Sequence, residues 1–93
     1  MSSGIKPLDV LRAERCRLRE WWEIAGVLRG TRVNGLEYDV FVECDERLYR
    51  LVYPVESKEA EILGEKLRGL EGRVIGILRT DLSDMPVAVR VEE

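Results

Sequence analysis

From Trp21 onward, apolar and polar residues alternate along most of the chain, with one interruption at helical spacing. Residues 21–33 are rich in β-formers. Gly26 and Gly30 lie inside this run, where glycines mark bulges or bends. Asn34-Gly35 follows, a strong two-residue hairpin signal. A turn there pairs Val33 with Leu36, Thr31 with Tyr38, Arg29 with Val40 and Val27 with Val42. The alternate set pairs Arg32 with Glu37 and Leu28 with Phe41. A second turn at Asp45-Glu46 sets Val42 opposite Tyr49, Val40 opposite Leu51, Phe41 opposite Arg50 and Tyr38 opposite Tyr53. Both turns place Tyr38, Val40 and Val42 on one face, which the agreement marks as the core face. The opposite face carries Leu28, Arg32, Phe41, Leu48 and Arg50 among Glu37, Asp39 and Glu43.

Helical spacing appears twice. Before the β region, Leu8, Leu11 and Leu18 follow a helical stripe, so a helix is expected over Pro7–Arg19. Pro7 suits its first turn and Asp9 its dipole. After Pro54 ends the third strand, Ser57 is a good N-cap and Glu59 and Glu61 fill a first turn. Ala60, Leu63, Leu67 and Leu70 then form an apolar stripe, and Gly69 suits the helix end. A fourth strand is expected over Arg73–Thr80 and a fifth over Val87–Val91. The expected interior is Val27, Val40, Val42, Tyr49, Leu51, Val74, Leu78, Val87 and Val89. Adjacent strand residues point to opposite faces, so at most one of Trp21 and Trp22 lies in the core. The other either covers the first helix or is exposed, and covering the helix is the expected role. At 93 residues with no linker or repeat, one domain is expected, with residues 1–20 as a helical arm and 21–93 as its body.

Charge changes this picture only in part. The chain carries 15 Lys+Arg, 18 Asp+Glu and no His, for a net charge of −3. Twelve of the basic residues are Arg. Residues 1–20 have a net charge of +2 and residues 21–93 one of −5. A mildly basic arm thus precedes an acidic body, which argues against strong non-specific nucleic-acid binding. The missing His removes the commonest general base and metal ligand. Cys16 and Cys44 have no second pair and no His to complete a zinc site. Neither a bound metal nor a disulfide is expected. Asp81 and Asp84 read as turn formers. No signal-peptide or membrane-spanning run occurs, so a cytoplasmic address is expected.

The order helix, three strands in a meander, helix, two strands, with a long glycine-bent first strand, resembles the OB-fold. The resemblance covers residues 21–93 and is one of topology and pattern. It implies an all-β fold with helices: a five-stranded Greek-key barrel preceded by an N-terminal helix. An Sm-like or SH3-like barrel would have to carry Glu56–Leu70 as an insertion.

No enzyme motif is present: no nucleophile elbow, no phosphate-binding glycine loop, no metalloprotease helix. A non-catalytic binding module without cofactor is therefore expected. In OB-folds the outer face of the second and third strands is the usual platform. Here it offers Phe41 opposite Arg50, with Leu28 and Leu48 nearby, and Arg32 and Arg79 to extend the path. An exposed ring can stack on a base, and Arg can stack or hold a phosphate. Single-stranded nucleic acid is the leading expected ligand. A protein partner on the same apolar patch is the alternative.

Overall fold

The structure, a computed structural model, describes residues 7–92. The parts expected of Lys6 and of the Leu8 and Asp9 side chains lie outside what it describes. Two helices and six strands follow in the order α1 (Pro7–Arg12), β1 (Glu14–Arg15), β2 (Glu23–Asn34), β3 (Glu37–Cys44), β4 (Arg47–Pro54), α2 (Lys58–Lys66), β5 (Val74–Arg79) and β6 (Val87–Val91). The strands make one sheet in the order β1-β4-β3-β2-β5-β6. That is one strand more than expected, and the sheet is not closed: β1 and β6 form its two ends. No helix among the described residues is long and apolar enough to cross a membrane.

The first helix stops at Arg12, seven residues short of its expected end. Beyond it, Arg15-Cys16-Arg17-Leu18-Arg19 alternates strictly between charged and apolar residues, the period of an extended chain. A single helical turn and a half gains little on its own, whereas the free edge of β4 offers hydrogen bonds. Glu14 and Arg15 take that edge in parallel, opposite Tyr49 and Arg50. Cys16 N–H continues the pairing to the Arg50 carbonyl at 2.9 Å.

The second hairpin has the expected turn and the expected register throughout. Asp45 and Glu46 both adopt positive φ, as a type I′ turn requires. The first hairpin differs. Its turn is Gly35-Leu36, with Asn34 paired to Glu37, so the ladder is shifted by two residues. Gly35, at φ 62°, supplies the left-handed conformation at the first central position. A shift of two leaves the faces unchanged. A bulge at Arg29 does not: beyond it Leu28, not Val27, lies opposite Val42. One extra residue inverts the alternation of the first half of β2. Leu28 and Ile24 therefore point into the core, and Val27 is only half-buried.

Strand β5 pairs with that inverted half, Ile24 to Ile77 and Gly26 to Ile75. Ile75 and Ile77 are accordingly buried, Leu78 is intermediate and Val74 is 40% exposed, the reverse of the expected parity. Val40, Val42, Leu51 and Val87 lie inside as expected, with Tyr49 and Val89 packed at the margin. Helix α2 contributes its stripe as expected. Ala60, Leu63 and Leu67 are buried in the core and Leu70 packs beside them. Ser57 caps it by accepting from Ala60 N–H at 3.1 Å.

Candidate nucleic-acid interface

The outer face of β3 and β4 carries a network of ion pairs around a buried ring. Phe41 has no exposed surface. It lies opposite Gly30 on one side and Arg50 on the other. The Arg32 guanidinium sits 5.9 Å from its ring centre, within cation–π range. Asp39, also fully buried, receives Arg32 Nε at 3.0 Å and lies 3.4 Å from Arg50 Nη2. Glu37 lies 3.4 Å from the same Arg50 nitrogen.

The expected constellation is thus only partly assembled. Phe41, Arg32 and Arg50 meet, but the ring is covered and both guanidiniums are bound to carboxylates. Leu48 lies on this face and lines a cleft of about 280 Å³ below it. That cleft holds Arg12, Arg29 and Arg47 against Glu14, Glu43 and Glu46, with pairs Arg29–Glu43 and Arg47–Glu14. Its charges cancel. Leu28 belongs to the core on the opposite side of the sheet, and Arg79 belongs to a different edge.

A second set of groups gathers at that edge, where the sheet stays open. The segment after β1 crosses from β4 to β5. Leu18 enters the core, and Arg79 Nη1 donates to its carbonyl at 2.7 Å. Trp21 N–H donates to the Arg79 carbonyl at 2.6 Å, and Arg79 N–H donates to the Trp22 carbonyl at 3.0 Å. The alternation that buries Leu18 and half-buries Cys16 turns Arg15, Arg17 and Arg19 outward. Neither tryptophan enters the core. Both precede β2 and are half in water, at 54% and 55%. The Arg19 guanidinium stacks 5.0 Å from the Trp22 ring centre. Trp21 holds φ 66°, a conformation costly for a bulky side chain. Its two neighbouring backbone bonds to Arg79 and Arg19 keep it there.

Beside these residues a cleft of about 380 Å³ opens between β4 and Val87 at the start of β6. Arg15, Arg17 and Arg79 line it, with Glu59 as the one carboxylate among the described residues. None of the three arginines is in a salt bridge among the described residues. Burial pushes the Tyr53 hydroxyl up to about 12, with the Glu59 carboxylate adding to the effect. Burial also raises the Cys16 thiol. Both residues line the cleft, and both groups are neutral at neutral pH. The sequence signal for this surface was the charged–apolar alternation over Arg15–Arg19 running into Trp21-Trp22. A helical reading of the same stretch hides it.

No family model, curated protein or solved structure matches this chain.

Proposed function

We propose that this chain is a non-catalytic binding module for single-stranded nucleic acid, built on an open OB-type barrel. The strand is held along Arg15–Trp22 and Arg79 and not on the outer face of β3 and β4. The order β4-β3-β2-β5-β6 with a helix between β4 and β5 supports the barrel reading, since such barrels are often only partly closed. One observation carries the ligand reading. Two adjacent, half-exposed tryptophans stand beside a row of arginines that form no salt bridge among the described residues. Aromatic faces stack on any base, and arginines follow the phosphates, which is how strands are gripped without sequence preference.

The test is a titration with short oligothymidylate and oligouridylate at low salt, read by quenching of tryptophan fluorescence. Binding is expected to be weak. Trp22→Ala is expected to weaken it by about 1–3 kcal/mol, the range for loss of one stacked base. Phe41→Ala is expected to lower stability, with affinity unchanged at temperatures where the variant is folded. Absence of quenching by either oligonucleotide removes this reading. The exposed Trp and Arg residues would then be read as anchors for a protein partner.

A further inference from the structure

We propose that the cleft at the open edge is a phosphate-monoester subsite, which takes the phosphorylated end of a strand lying on Trp21 and Trp22. This inference rests on the nucleic-acid reading and extends it to the choice of strand end.

Two clefts described above have similar size and different electrostatics. In one, three arginines face three glutamates and cancel. In the other, Arg15, Arg17 and Arg79 face Glu59 alone among the described residues, a charge of +2 from those four groups within a chain of net charge −3. About 380 Å³ lies at the small end of the range for ligand sites and suits a unit the size of one nucleotide. Two arginines from the arm and one from β5 converge on it, so no single loop has to be ordered to bring them together. Arg79 is already fixed by its bond to the Leu18 carbonyl. The same residue exchanges backbone bonds with both tryptophans, so Arg79 links the cleft to the segment that carries the indoles.

Charge also argues for an end and not an interior phosphate. A terminal monoester carries about −1.5 to −2 at neutral pH, against −1 for a linking phosphodiester. Three guanidiniums reward the additional charge. A strand threaded through the cleft would have to place a further phosphate on the α2 side, against the Glu59 carboxylate. A strand that ends in the cleft avoids that repulsion. Tyr53 also lines the cleft, and its hydroxyl, which stays protonated, can serve as a neutral donor for a phosphate oxygen.

The experiment compares three hexathymidylates that differ only in their ends: 5′-phosphate, 3′-phosphate, or hydroxyl at both. Each is titrated into the full chain and into the Arg15→Gln/Arg17→Gln variant. Both replaced side chains are exposed, so the variant retains the fold, checked by its thermal transition. The expected result is about tenfold tighter binding for at least one of the end-phosphorylated strands. That advantage should shrink to less than about twofold in the variant. Equal affinity of all three strands for the unmodified chain overturns the inference and leaves the nucleic-acid reading standing. So does an equal loss for all three in the variant, which would place an interior phosphate on these arginines. Failure of every strand to bind at low salt overturns both.

Discussion

Asp39 decides the character of the outer face. Its carboxylate is wholly buried, yet only Oδ2 meets partners, and Oδ1 has none among the described residues. Arg50 Nε is likewise buried without a partner among them. Removing one member of a buried ion pair leaves the other desolvated and uncompensated. Arg32 keeps 36% of its side chain exposed, which softens the penalty. Asp39→Ala is therefore expected to cost about 2–3 kcal/mol in urea denaturation, below the roughly 3–5 kcal/mol of fully buried pairs. A loss below about 0.5 kcal/mol would show that the network adds nothing to stability. Tyr53 gives a second test at this scale. Its hydroxyl ionises at about 12 in the folded chain, whereas an unfolded tyrosine does so near 10. The neutral form is the one the fold favours. Its contribution is thus complete below pH 10 and is lost as pH rises from 10 towards 12, by roughly 2 kcal/mol. Tyr38, raised by burial as well, acts in the same direction. In Tyr53→Phe the fall in unfolding free energy between pH 10 and 12 is expected to be shallower than in the parent chain.

At the scale of elements, two glycines with opposite surroundings give a paired prediction. A Cβ on Gly26 would overlap the Glu43 carbonyl oxygen, because β2 and β3 approach closely where β2 bends. Gly64 lies in α2 with open space around it. Gly26→Ala is expected to destabilise by about 2 kcal/mol or more through backbone displacement. Gly64→Ala is expected to stabilise by about 0.5–1 kcal/mol through helix propensity and a stiffer unfolded chain. Midpoints of thermal unfolding moving in opposite directions would confirm both. These local features also mark how far the sequence could be read. The Asp45-Glu46 hairpin, the capped helix α2 and the β6 segment were legible because turn chemistry, a cap and a repeating stripe agree there. The bulge at Arg29 was not, since nothing in alternating residues says which one is extra. That single residue accounts for the misplacement of Leu28 and Val27 and for the inverted faces of β5. The buried Phe41 was hidden for another reason. Covering a ring takes long side chains from neighbouring strands, Arg32 and Arg50, whose reach no residue-by-residue pattern records.

For the whole molecule, charge distribution sets how any strand must bind. The net charge of −3 opposes a polyanion at long range, while the open edge attracts it locally. Salt screens the first effect over about 10 Å and weakens the second by restoring the counterion advantage of the free strand. Four arginines, Arg15, Arg17, Arg19 and Arg79, stand on the proposed path. Each phosphate neutralised on a single strand contributes about −0.7 to the slope of log affinity against log salt. Four contacts therefore give a slope of about −3, reduced by the fading repulsion of the acidic body. Arg19→Gln is expected to make it shallower by about 0.7. It also removes the guanidinium stacked on Trp22, so the affinity at fixed salt should fall with it. A slope much steeper than −4 would require basic groups beyond this edge, and the outer face has already committed Arg32 and Arg50 to carboxylates. A slope near zero with strong binding would mean that the indoles grip an uncharged surface. In that event the Trp21–Trp22 pair would be a protein-docking site.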